Sequence, residues 1–245
     1  MTAGTENGNG RVLVLQHAAP EHPGLITEAL RSAGVVTDVR QTHHGQPAPP
    51  SLAGYSGLVI MGGPQSVYEE DRYLYLRDEK RLAREALDVG APVLGVCLGS
   101  QIIAEALGSS VRPGPAPEIG WRPVRRAPNA AADLVLSRLP ETFTPLHWHG
   151  DVYDLPPGAI PAGASDMTPV QGFSYGDAVH ALLFHLEMTQ EQVQAMAEEF
   201  PDDVHRGGLE PAALLAETPR RIAALEGIAR DVFGAWAGLL SRSRA

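Results

Sequence analysis

The sequence predicts an α/β fold: a central, mostly parallel sheet with antiparallel edge strands and helices on both faces. Two observations carry this. Over about the first hundred residues, short apolar runs alternate with amphipathic helical segments, the pattern of βαβ units with right-handed crossovers. Beyond residue 107 the chain turns to extended segments, and Gly176-Asp177 between runs 169–175 and 178–184 marks a β-hairpin.

In chain order, 11–16 (RVLVLQ) reads as a strand, 19–24 as turns, 25–33 as a helix stopped by Gly34, and 35–40 as a second strand. A polar, Pro-rich loop covers 43–50, and 57–61 (GLVIM) is a third strand running into Gly62-Gly63-Pro64. Leu74, Leu76, Leu82, Ala83, Ala86 and Leu87 give 74–89 one apolar face, so it is a surface helix ending at Gly90. A strand at 92–96 and a helix at 100–107 follow, and 119–126 and 142–149 are extended. Thr189 with Gln192 forms a capping box for a helix over 189–200, and 202–208 reads as a loop. Thr218-Pro219 then opens a last helix, whose stripe of Ile222, Leu225, Ile228, Val232, Trp236 and Leu239 should face the core. Residues 1–10 are polar and Gly/Asn-rich, without the basic and apolar regions of a signal peptide, and are expected to be a disordered leader. The economical organisation is one domain over 11–245, with 190–245 as a C-terminal helical extension.

Composition narrows the function. A chain of 245 residues, 44% hydrophobic and 20% charged, can bury a full core. Its net charge of −10 argues against nucleic acid or an anionic membrane as partner, and no run has the length of a membrane span. A single cysteine excludes an intramolecular disulfide and a cysteine-based zinc cage. A cytoplasmic, reducing location is the expectation, where a reactive thiol survives.

That cysteine lies in Gly95-Val96-Cys97-Leu98-Gly99, between a predicted strand and a predicted helix. This is the logic of a nucleophile elbow: a tight turn pushes the side chain out, and glycines keep the turn free of Cβ clashes. The helix N-terminus behind it favours an anion and is expected to lower the thiol pKa. A buried structural cysteine is the competing reading. A thiolate attacking a carbonyl needs a base, an orienting acid and oxyanion donors. Among nine histidines, His17, His22, His43, His44 and His205 sit in polar or loop contexts and read as solvent-facing or structural. His185 differs, because extended spacing puts Glu187 on its side of the strand. Gly62-Gly63-Pro64 offers backbone N–H groups that, with that of Leu98, would make an oxyanion hole. His147-x-His149 with Asp151 suggests a metal in isolation, but no further ligand cluster adjoins it in sequence.

Gly-Val-Cys-Leu-Gly-Ser-Gln, preceded by Met-Gly-Gly-Pro-Gln-Ser and followed by Phe-His-Leu-Glu, resembles the class I (triad) glutamine amidotransferase domain. Glu118-Ile119-Gly120-Trp121, His147-Trp148-His149-Gly150-Asp151 and Leu155-Pro156-Pro157-Gly158 extend the likeness to stand-alone proteins similar to the glutaminase domain of GMP synthase, over roughly residues 11–190. The resemblance implies a flavodoxin-like three-layer fold, Cys97 as nucleophile, His185 as base and then acid, and Glu187 as its orienter. It also implies Gly63 and Leu98 N–H groups as the oxyanion hole, Gln101 in the glutamine pocket, and His149 and Asp151 at the site mouth. The implied reaction hydrolyses glutamine through a γ-glutamyl thioester, without metal or organic cofactor. One departure is Leu186, where most of the family has proline; the side-chain spacing is unchanged. No Ser-Gly-Gly-x-Asp-Ser pyrophosphatase loop is present, so an ammonia-accepting synthetase would be a separate polypeptide. Hydrolysis of other γ-glutamyl amides or peptides, and a non-catalytic regulatory module keeping the fold, are the alternatives.

Overall fold

The computed structural model describes residues 10–242; the expected leader over 1–10 lies outside them but for Gly10. Strand β1 (Arg11–Gln16) is buried from its second residue onward, as a strand covered on both faces must be. Helix α1 (Gly24–Ser32) buries Ile26 and Leu30, and the chain returns in β2 (Val36–Gln41). β2 is an edge strand and carries charge there: Asp38 takes Arg11 at 2.7 Å, Arg40 at 3.0 Å and the Tyr55 hydroxyl at 2.5 Å. β3 (Gly57–Ile60), α2 (Tyr75–Val89), β4 (Val93–Val96) and α3 (Leu98–Ala106) complete the βαβ pattern. α2 buries Leu76, Leu82, Ala83 and Ala86 as expected, but Leu74 precedes the first helical residue and is exposed.

The second half runs β5 (Val111–Trp121), β6 (Val124–Arg126), β7 (Thr142–Phe143), β8 (Leu146–Tyr153), β9 (Ile160–Pro161), β10 (Gly163–Ala164), β11 (Gly172–Tyr175) and β12 (Val179–Leu182). The main sheet has the order β2-β1-β3-β4-β12-β11-β9, parallel from β2 through β12 and antiparallel at β11 and β9. The predicted hairpin is β11–β12. Its second strand is not at the edge, because it lies parallel to β4, with Leu182 beside Val96. β5 and β8 form a separate two-stranded ribbon, and β10-β6-β7 a small third sheet.

Helices α4 (Gln190–Glu199), α5 (Pro201–Arg206) and α6 (Pro211–Arg242) close the chain. The Thr189–Gln192 capping box forms reciprocally at the start of α4. Two expectations are corrected here. The segment 202–208 is largely helical, for Pro201 opens α5, Asp202 and Asp203 sit in its first turn, His205 and Arg206 in its last, and Val204 is fully buried. The last helix begins at Pro211 rather than at Thr218, and Pro219 lies inside it. Leu214 is buried against the cluster of Ile119, Leu146 and Trp148, which holds the first turns in place. Thr218 does not cap; its hydroxyl donates back to the Leu214 carbonyl at 2.9 Å, beside a proline that cannot donate at all.

The predicted stripe faces the core. Leu225, Val232, Trp236 and Leu239 join the cluster under the sheet with Val14, Val59 and Val96, and the Trp236 Nε1 donates to the Val93 carbonyl at 3.2 Å. Trp236→Ala therefore removes a fully buried ring and leaves a carbonyl of the central strand without this donor. It is expected to cost about 3–5 kcal/mol, read as a shift in the urea midpoint with the slope unchanged. Among the described residues no helix is long and apolar enough to cross a membrane.

Candidate active site

β3, β4 and β12 are neighbours in the sheet, and at their carboxyl ends stand Gly62–Pro64, Cys97 and His185. This is the rim at which ligands bind in open parallel sheets. Cys97 has φ 49° and ψ −110°, and among the described residues it alone has positive φ without being glycine. Such a conformation persists only where the surroundings enforce it. Here the Cys97 N–H donates to Leu182 O at 2.8 Å and the Gly99 N–H to Met61 O at 3.1 Å, so the elbow is tied to both flanking strands. The two glycines are spatial necessities. A Cβ on Gly95 would lie 2.6 Å from the Gly99 carbonyl, and one on Gly99 would collide with the carbonyl of Ile60.

His185 leaves β12 by a bridge to Leu146, its N–H donating to the Leu146 carbonyl at 2.8 Å. Its Nδ1 is 2.7 Å from Glu187 Oε1, both side chains fully buried. Leu186 turns the other way into the core, so the pair forms without the proline. The imidazole lies against the Cys97 thiol. In this arrangement Sγ donates to the Trp148 carbonyl at 3.6 Å, and His185 Nε2 has no hydrogen-bond partner among the described residues. Burial pulls the His185 pKa down, but the Glu187 carboxylate and the Cys97 sulfur together more than reverse it, and the net shift is well upward. Burial pushes the Cys97 thiol up, against the opposing pull of His185. This corrects the expectation of a lowered thiol pKa: the helix N-terminus is present, but desolvation outweighs it. A thiol, an imidazole with a free Nε2 and a carboxylate on Nδ1 can together move a proton from sulfur to a leaving nitrogen.

Gly63, Leu98 and Gln101 line a cavity of about 240 Å³ with Cys97, and His149 and Asp151 form part of its wall. The Leu98 N–H lies against the thiol. Gly63 leaves no room for a side chain, since a Cβ there would sit 2.6 Å from His17 Cβ. Gln101 Nε2 reaches the Asp151 carbonyl at 3.5 Å, and the Tyr68 hydroxyl donates to the Asp151 carboxylate at 3.3 Å. Every residue expected at the site or its mouth thus borders one cavity or its catalytic-type pair.

Four contributors escaped sequence reasoning. Glu21, in the turn-rich stretch after β1, is buried at the cavity and pushed up to about 7 by burial, with His185 and His17 opposing. His17 is structural: it is fully buried, with Nε2 2.7 Å from Glu79 of α2 and Nδ1 3.0 Å from the Gly62 carbonyl, and so it clamps the glycine turn. Asp203 and Arg206 of α5 form the outer rim, where Asp203 accepts the Trp148 Nε1–H at 3.1 Å. No local signal marks the roles of Glu21, His17 and Asp203, because the groups that face them lie far away in the chain.

Comparison with known proteins agrees with this architecture. The profile of the family "Glutamine amidotransferase class-I" matches residues 24–202. The glutamine amidotransferase-like protein YfeJ of Salmonella typhimurium is 31% identical over 77% of this chain and 80% of its own. GMP synthase [glutamine-hydrolyzing] of Herminiimonas arsenicoxydans is 30% identical over 80% of this chain, which spans only 36% of that longer protein. The crystal structure of a glutamine amidotransferase from Thermotoga maritima superposes with a TM-score of 0.84 at 31% identity, covering 94% of this chain and 98% of that one. A glutamine amidotransferase from Methylobacillus flagellatus gives 0.84 at 27% identity over 93% and 94%. The fold is the flavodoxin-like one of these proteins, and the chain belongs to the class I glutamine amidotransferase family.

Proposed function

We propose that this chain hydrolyses the side-chain amide of glutamine through a γ-glutamyl thioester on Cys97, releasing glutamate and ammonia for an acceptor on a separate synthetase. The observation that carries the reading is the Cys97 elbow at one small cavity, with the buried His185–Glu187 pair set against its thiol. His185 Nε2 takes the thiol proton as sulfur attacks the amide carbon. The Gly63 and Leu98 N–H groups stabilise the oxyanion, and the same proton passes to the departing ammonia. Water, deprotonated by His185, then cleaves the thioester to glutamate. At about 240 Å³ the cavity is smaller than the ~300–1,000 Å³ of pockets that take drug-sized ligands, which favours a single amino acid over a γ-glutamyl peptide. The GMP synthase relatives, described as glutamine-hydrolysing, support the choice of substrate. The test is glutamate release from glutamine beside a panel of γ-glutamyl peptides, with labelling of Cys97 by a glutamine-analogue electrophile. No labelling and no glutamate, even with cell extract supplying a partner, overturns the proposal.

A pH dependence follows from the same pair. At low pH the His185 ring is protonated and cannot take the thiol proton, so kcat/KM rises with pH as that proton is lost. Glu187 holds this pKa up. Glu187→Gln should therefore move the acid limb to lower pH while reducing kcat by about 10²-fold, less than loss of either other triad member. An unshifted limb, or a loss equal to that of Cys97→Ala, contradicts the assigned role.

A further inference from the structure

At the edge of the cavity, of whose wall His149 is part, three buried groups converge that take no step in the proposed hydrolysis. Glu118 stands opposite His149 in the β5–β8 register and His147 lies two residues along, so all three occupy one face of the ribbon. Opposite His147 is Gly120, which has no side chain to fill that face. Glu118 and His147 are fully buried, His149 nearly so, and one potential ligand atom from each lies within 4.8 Å of the others.

Their hydrogen bonding leaves a defined deficit. Thr168 Oγ1 and Gln171 Nε2 each donate to Glu118 Oε2 at 2.8 Å, whereas Glu118 Oε1 has no partner. His147 Nε2 is 3.2 Å from the Arg122 carbonyl, which only accepts, so Nε2 carries the proton and the neutral ring presents a lone pair at Nδ1. That Nδ1, also unpartnered, is 3.7 Å from Glu118 Oε1: two acceptors face each other with no donor between them. His149 Nε2 is unpartnered and 3.6 Å from Glu118 Oε2. Buried polar atoms without partners are rare in folded proteins and call for an occupant.

We propose that Glu118, His147 and His149 bind one divalent transition-metal ion of the zinc class, leaving a fourth position for water. Neutral imidazole and carboxylate suit such ions, and ligands 2.0–2.2 Å from a tetrahedral ion are about 3.4 Å apart, which a small inward shift reaches from 3.7 Å between His147 Nδ1 and Glu118 Oε1 and from within 4.8 Å for the set. The outer shell is in place too. The Arg122 carbonyl fixes the His147 tautomer, and Thr168 and Gln171 hold the carboxylate by the oxygen that does not face His147. The ion lies beneath the strand whose Trp148 carbonyl accepts from the Cys97 thiol, so it pins the cavity wall and takes no part in amide cleavage. The sequence alone assigned no metal because the third ligand comes from another strand.

The chain, stripped with a chelator and freed of it, is titrated with Zn²⁺ against a chromophoric competitor. One ion per chain is expected, retained in Cys97→Ala. Binding should weaken at least about 100-fold in His147→Ala and Glu118→Gln, and about 10–100-fold in Thr168→Val. Co²⁺ in the unaltered chain should show the visible absorption of a low-coordinate nitrogen–oxygen site, a readout needing no variant. Should His147→Ala fail to fold, the near-isosteric Glu118→Gln decides. Absence of stoichiometric Zn²⁺, its loss in Cys97→Ala, or its persistence unchanged in Glu118→Gln overturns the site. None of these readouts depends on glutamine hydrolysis.

Discussion

Cys97→Ala is expected to reduce glutamate release at least about 10⁴-fold while leaving the thermal midpoint nearly unchanged. The size follows from what is removed: without sulfur there is no acyl-enzyme, and only the oxyanion donors and binding remain to accelerate attack by water. The small effect on stability follows from the backbone. Alanine keeps the Cβ and hence the positive φ, and the bonds to Leu182 and from Ser100 belong to the main chain. His185→Ala should approach the same loss, and the double variant should lose little more than either single one, because nucleophile and base act as a unit. Additive losses would mean that the two residues do not share a step. Steady-state kinetics of the three variants, with melting curves for each, provide the check.

Gly99→Ala is expected to have the largest effect on stability of any single methyl addition at the site, about 3 kcal/mol or more. The added Cβ would press into the Ile60 carbonyl, which is backbone in the middle of the sheet and cannot swing aside. Either α3 lifts from β3, breaking the bond from Gly99 N–H to Met61 O, or the strand bends. Gly227→Ala makes the contrast. It lies in α6 with nothing within 4 Å of the new Cβ, and should stabilise by up to about 1 kcal/mol. Chemical denaturation of the pair separates close packing from glycine's entropy. Equal effects of the two substitutions would sink the packing argument.

Period and turn chemistry made the parallel half of the fold legible. Each strand from β1 to β4 appears within a residue or two of its expected bounds, and the elbow at Cys97 was marked by its flanking glycines. The errors fall where tertiary packing overrides a local signal. Thr218-Pro219 has the chemistry of a helix start, but burial of Leu214 draws the start back from Thr218 to Pro211. The 202–208 segment has Pro201 just before it and an acidic first turn, signals that its polarity obscured. At the site, His185 and Glu187 were legible because two residues suffice to define their geometry. The His17–Glu79 clamp and the Glu118–His147–His149 cluster were not, since each joins distant strands or a strand to a helix. The thiol pKa was misjudged for a different reason: a helix dipole can be inferred from sequence, whereas depth of burial cannot.

The place of β12 between β4 and β11 sets an order of events during synthesis. A ribosome delivers the Cys97 elbow well before it delivers His185, and until β12 arrives β4 is an open edge of a growing sheet. The unfinished chain therefore carries a thiol with no base beside it. Three residues after the strand that joins β4 to β11 comes His185, the residue set against the sulfur. Addition of β12 to the hydrogen-bonded ladder and arrival of His185 beside the thiol are therefore one molecular event.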